Sequence, residues 1–309
     1  EEMISLFKYL SLASSFSIVG ILTALAFLLP EVEGYFQESG VKLKRILPPI
    51  AAIWALSSMG VFLSELAVIV DKPLLEIFSG NLIRSFALQV ILGKLLLINI
   101  LSALILLIFV STIKRTGGAL ALLIITLLGL LAPYLENHSS SSGHHMLAIG
   151  LVLVHVLALS LWIGGLIALA LIAKEERKFA AARFHILALW SLLAVALSGL
   201  VNGWVRLGTI TNITSNYGAI LVAKTLLLAL IFMVAFTFRS RQRKNFDDGV
   251  LNRQLGIEGA LFGITMVFAV LLSRIAPPEV SLSTPINPIL GSTMPQSPTF
   301  SRLLLGYEP

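Results

Sequence analysis

Long apolar runs separated by short polar stretches organise the whole chain. Eight runs reach the roughly 20 residues needed to cross a ~30 Å hydrocarbon layer. They are about 4–30, 46–70, 84–112, 118–135, 145–173, 184–207, 217–239 and 254–275. Each predicts a membrane helix, so the expected fold is an all-α polytopic bundle of eight transmembrane helices. Two of the runs look alike: SFALQVILGKLLLINILSAL in the third and SNYGAILVAKTLLLALIFMV in the seventh. Ser85 pairs with Ser215, and Lys94 with Lys224, nine residues on in each case. The second run, ALSSMGVFLSELAVI, is weakly similar to the sixth, VALSGLVNGWVRLG. Matching helices run the same way, which predicts a parallel 4+4 repeat about an axis normal to the membrane. The domain reading is a first four-helix half at 1–137, a second at 138–275, and a proline-rich tail or linker at 276–309.

Composition supports this reading. Hydrophobic residues make up 57% of the chain and charged residues 12%, with mean hydropathy +0.94. A soluble domain is typically about 45–50% apolar and about 25% charged. The net charge of +6 therefore bears first on orientation. Basic residues gather in alternate loops: Lys42, Lys44 and Arg45; Lys114 and Arg115; Lys174, Arg177, Lys178 and Arg183; and Arg239, Arg241, Arg243, Lys244 and Arg253. Positive residues favour the cytoplasmic side, so both termini are expected outside the cytoplasm. The basic residues form no surface stripe, which argues against nucleic acid as a partner. Cysteine is absent. That excludes disulfides, thiolate metal sites and cysteine nucleophiles, and no other catalytic constellation suggests an enzyme.

Four of the five histidines lie in HSSSSGHHMLAIGLVLVHVLALSLWIGG, residues 138–165. His138, His144 and His145, with Met146, flank a serine-rich loop on the expected outer side. His155 lies inside the following helix, ~15 Å deep at 1.5 Å per residue. Imidazole is the commonest protein metal ligand. Imidazole with thioether suits Cu(I), and imidazole alone suits Cu(II) or Zn(II). Adjacent histidines on a helix point ~100° apart, so one of the 144/145 pair with His138 is the easier chelate. A flexible connection without metal is the plain alternative.

Polar residues inside apolar helices are functional candidates. Lys94 and Lys224 fall ~10–12 Å below the outer surface, and Glu65 ~6 Å in. Arg206 ends the sixth run, and Gln89 and Asn202 lie at similar levels. If these groups face one another they form a polar cavity opening outward. The alternatives are lysines that snorkel to the interface and a structural Glu65–Arg206 ion pair. Asn99 and Asn202 read as interhelical hydrogen-bond donors, and Gly164, Gly165, Gly199 and Gly203 as close-packing positions. Trp162 lies two turns after His155, on the same face. His185 reads as interfacial.

At these residues the chain resembles the CopD family of bacterial copper-resistance membrane proteins. The matching segments are HVLALSLWIGGLIAL (155–169), RFHILALWSLLAVALSGLVNGWVRLG (183–208) and NYGAILVAKTLLLALIFMVAFTFRSRQR (216–243). His155 with Trp162 to Gly165, Ser198-Gly199, and Tyr217-Gly218 with Lys224 stand where the family pattern has them. The tail PINPILGSTMPQSPTFSRLLLGYEP looks like the linker of actinobacterial fusions of CopD to a CtaG-type oxidase assembly domain. The resemblance implies an eight-helix protein of the bacterial cytoplasmic membrane. It would bind a copper ion on the outer side and transport or deliver it. Membrane lipid, periplasmic copper proteins, a CtaG-type domain or cytochrome oxidase are the implied partners. The resemblance carries no established ligand set.

Two other classes remain open at this stage. One is an assembly subunit of an oxidase complex with no transport of its own. The other is a haem- or quinone-linked redox protein. A bis-histidine haem needs two axial residues at similar depth, and His155 and His185 lie at different depths.

Overall fold

The computed structural model describes residues 2–78, 80–136, 145–207, 210–244 and 246–274. The loop carrying His138 and His144 and the tail at 276–309 lie outside the described residues, as do the side chains of His145 and Arg206. Among the described residues the helices are α1 (Glu2–Thr23), α2 (Glu38–Val70), α3 (Gly80–Gln89), α4 (Ile91–Phe109), α5 (Thr116–Leu131), α6 (His145–Leu171), α7 (Lys174–Leu207), α8 (Asn216–Lys244) and α9 (Asp248–Arg274). Among the described residues, seven helical segments are long and apolar enough to cross a membrane. They correspond to α1, α2 and α4 to α8. The eighth predicted segment falls on α9, which carries Glu258 in its middle.

Many large apolar side chains point outward, among them Leu56, Ile108, Leu128, Trp190, Leu226 and Phe236. In water such a surface would drive aggregation; in a bilayer it is the lipid-facing surface. The interior is also apolar, with Trp54, Ile18, Leu22, Leu47, Leu106 and Leu169 fully buried. Lipid is as apolar as leucine, so packing and hydrogen bonds must hold the helices together.

The tightest crossing joins α1 to α6, with α1 also packing on α2 and α5 and α6 on α7. Gly20 and Gly164 meet backbone to backbone there. A Cβ built on Gly164 would lie 2.6 Å from Gly20 N and 2.8 Å from Gly20 Cα. A second tie joins α4 to α5. The carbonyl of Gly129 lacks its normal helical donor, because residue 133 is proline and has no N–H. Asn99 Nδ2 donates to that carbonyl instead, at 2.8 Å in a buried setting. Asn99 therefore acts as the expected interhelical donor.

At the end of the bundle with the basic loops, Arg177 is buried at the junction of α6, α7 and α9. Its Nε and Nη2 donate to Ile172 O (3.1 and 2.9 Å), and Nη1 donates to Asn252 Oδ1 (3.0 Å). Asp248 lies 3.8 Å from Nη1. A cation on the last carbonyls of a helix satisfies orphan acceptors and opposes the negative end of the helix dipole. Nearby, a tight hairpin pairs β1 (Glu31–Val32) with β2 (Tyr35–Phe36). Its turn needs positive φ at Glu33 (52°) and Gly34 (79°), the pattern of a two-residue hairpin turn. Arg115 docks on it, donating to Tyr35 Oη at 2.7 Å.

The third apolar run is not one helix. Val90 is extended (φ −87°, ψ 132°), and α3 is a separate helix packed against α4. Asn81, Arg84, Ser85 and Gln89 make α3 too polar for a lipid-facing continuation. Phe86 instead buries its ring against Phe62, with centroids 4.9 Å apart. Gly93, having no side chain, lets the Phe86 carbonyl approach α4. The Ser85–Lys94 and Ser215–Lys224 spacings are thus realised differently. Ser85 and Lys94 sit on two helices, whereas Ser215 caps the helix that holds Lys224, accepting from Gly218 N at 3.1 Å.

Candidate functional site

A cavity of about 490 Å³ opens between the end of α5 and helices α6 to α9. Most of its lining is carbon: Val152, Leu159, Val195, Leu221, Leu228 and Phe262 among others. Into it the fold brings polar residues that the sequence singles out: His155 and Trp162 from α6, Asn202 from α7 and Lys224 from α8. His155 and Trp162 do share a face, as their two-turn spacing requires.

The His155 ring is oriented by α7. Its Nδ1 lies 3.0 Å from Ser198 Oγ. That hydroxyl has one proton and gives it to Ala194 O at 2.5 Å. With the Ser198 proton on Ala194 O, the hydroxyl accepts from His155, an arrangement in which Nδ1 carries the ring proton and Nε2 keeps its lone pair. Holding one ring nitrogen this way is how proteins present the other as a ligand or base. Gly199 makes room for the ring, because a Cβ there would stand 3.3 Å from His155 Cε1. Gly203 likewise clears Leu221. The expected GxxxG on α7 therefore accommodates side chains of α6 and α8, while the backbone-to-backbone contact is at Gly20–Gly164.

Several buried polar atoms around the cavity have no hydrogen-bond partner among the described residues. They include Trp162 Nε1, Asn202 Oδ1 and Glu136 Oε2. Asn202 thus differs from Asn99: its carbonyl oxygen ties no helix and belongs to the cavity wall. Tyr134, Glu136 and Tyr217 also line the cavity, although sequence reading did not select them as site residues. Tyr217 lay within a quoted motif, and Glu136 immediately precedes the histidine loop, so both carried a usable signal.

The remaining predicted residues lie elsewhere. Glu65 pairs with Lys8 of α1 at 2.7 Å, while the side chain of Arg206, its expected partner, lies outside the described residues. The pair joins the consecutive helices α1 and α2, with Lys8 in the first turns of α1. Lys94 is exposed at the first turn of α4 and does not line the cavity. The expected single cluster is therefore divided, with one part in the cavity and Glu65 and Lys94 outside it. Met146 is 82% exposed at the start of α6. His138 and His144 lie outside the described residues, as do the side chains of His145 and Arg206. His185 is buried beside a smaller cavity of about 150 Å³ between α7 and α8. Among the described residues no three His, Asp or Glu side chains group as a metal site. One buried acid was missed: Glu258, on α9 and accepting from Gln254 Nε2 at 2.6 Å.

These features define a multi-pass helical membrane protein with a part-polar cavity in its second half. Residues 178–272 match the family model for copper resistance protein D, CopD. That stretch runs from the first turns of α7 into α9 and is similar to the CopD family. Ser198, Gly199, Asn202 and Lys224 fall within the matched residues, and His155 and Trp162 precede them. No curated protein and no solved structure matches the chain.

Proposed function

We propose that this protein binds copper on the extracytoplasmic side of a bacterial cytoplasmic membrane and passes it across or onward. His155 is the central ligand in this reading. The observation that carries it is the Ser198 contact, which orients the imidazole and, with the Ser198 proton on Ala194 O, leaves Nε2 as a lone-pair donor, in a chain whose neighbouring helices match CopD. The basic loops orient the bundle with both termini and the histidine loop outside. His138, His144, His145 and Met146 are then capture ligands. They stand one loop or ten helical residues from His155, ~15 Å along α6, so capture and His155 are separate stations. Imidazole with thioether suits Cu(I), and imidazole alone Cu(II).

Metal analysis of the purified protein and cellular copper uptake test the assignment. His155→Ala is expected to lower both. His138→Ala with His144→Ala is expected to slow capture and leave binding at saturating copper intact. Copper content and uptake unchanged in His155→Ala would remove that residue from the pathway.

A further inference from the structure

The large cavity is poorly matched to a bare ion. A metal ion fills less than the ~30 Å³ share of one water, and about 490 Å³ is available. Pockets of ~300–1,000 Å³ with carbon walls and a few placed polar groups take small organic molecules. The polar groups here are also specific. Trp162 is only 2% exposed, yet its indole N–H has no partner among the described residues. An unmet buried donor costs roughly 1–3 kcal/mol, and indole N–H groups normally find a partner when buried. Lys224 adds an ammonium to the same wall, and Asn202 and Glu136 add unmet acceptors. Donors set in a carbon-lined space select a molecule with an apolar body and acceptor oxygens.

We infer that the cavity is a binding site for a small amphipathic organic molecule bearing carbonyl or carboxylate oxygens, which accept from Trp162 Nε1 and Lys224 Nζ. The shared chemistry has two membrane sources, a quinone head and a fatty-acid carboxylate. The inference goes beyond copper handling and does not depend on it.

The test uses the full chain in lipid nanodiscs with a chelator present, so copper binding plays no part. Decylubiquinone is titrated in and tryptophan emission is read. Four tryptophans contribute, and Trp54, Trp190 and Trp204 do not line the cavity. Expected is a saturable quenching component on top of a linear background from quinone dissolved in lipid. Trp162→Phe removes that component. Lys224→Met keeps the fluorophore and raises the midpoint about tenfold, the size of one charge-assisted hydrogen bond. Decanoate is the second probe. Competition by decanoate supports the site with a carboxylate as its source, and saturable quinone quenching that decanoate leaves unchanged supports it with a quinone. Purely linear quenching in the folded wild-type protein, with no effect of decanoate on emission or thermal stability, overturns the inference. Should Trp162→Phe fail to fold, the wild-type titration and Lys224→Met still decide it. Failure here leaves the His155 copper test standing, and the reverse also holds.

Discussion

Replacing Gly164 with alanine tests whether the α1–α6 crossing organises the bundle. The added Cβ would stand 2.6 Å from Gly20 N and 2.8 Å from Gly20 Cα. Comfortable contacts lie near 3.5–4.0 Å, so the helices must part by about 1 Å or rotate. These neighbours, and the Phe16 carbonyl oxygen that stands nearer still, are all backbone atoms, and no rotamer change can relieve the clash. Overpacking of this kind costs about 1–3 kcal/mol. Alanine also returns up to ~1 kcal/mol of helix propensity relative to glycine. Gly150 provides the control, because it lies on the same helix with nothing within 4 Å of a built Cβ. Gly150→Ala should therefore show only the propensity gain. The two variants should differ by about 1–3 kcal/mol, which at ~2–4 °C per kcal/mol is roughly 2–12 °C in Tm. Thermal unfolding in a fixed detergent, followed by circular dichroism and by aggregation onset, measures this. Equal Tm values for Gly164→Ala and Gly150→Ala would refute the crossing as a close backbone contact.

Two further outcomes follow from ties described above. Asn99→Leu leaves the Gly129 carbonyl without a donor, since residue 133 is proline. It should destabilise the bundle by about 1–2 kcal/mol, while Asn99→Gln retains part of the loss as a longer donor. Tm in the same detergent measures both. Arg177→Lys keeps the charge but loses the fork that reaches Ile172 O and Asn252 together. A drop of about 2–3 kcal/mol is expected for hydrogen bonds to a buried charged group. Hydrogen exchange should speed up first at the ends of α6 and α9 that Arg177 joins. Unchanged exchange there would remove Arg177 as the tie.

Period and length made most of the helices legible. The apolar runs mark the membrane segments, and the seven-residue spacing of His155 and Trp162 placed them on one face before any fold was known. Asn99 was legible too, because a lone amide in an apolar helix needs a partner. Long-range pairing was not legible. Nothing near Glu65 in the sequence indicates Lys8, which comes from another helix, and so Glu65 was grouped by depth without the partner it has in the fold. Depth gives one coordinate of three, and rotation about each helix decides whether groups at one level face each other. The break at Val90 was hidden because α3 is apolar enough on one side to extend the run. Its polar side, with Arg84 and Gln89, held the missed signal. Glu258 was missed because its helix begins among charged residues, which made one more acid look unexceptional.

Successive residues on an α-helix turn by about 100°. From His155 to Gly164 the helix turns through nine such steps, about two and a half full turns. The histidine and the glycine therefore point in opposite directions from the axis of α6. From Trp162 to Gly164 the turn is about 200°, so the indole also points away from α1. A helix seated by side chains can be re-indexed by swapping large and small neighbours. A helix seated glycine on glycine has only one heading at which the backbones fit. The aim of His155 and Trp162 into the cavity is thus set on the far side of α6, by two residues that have no side chain at all.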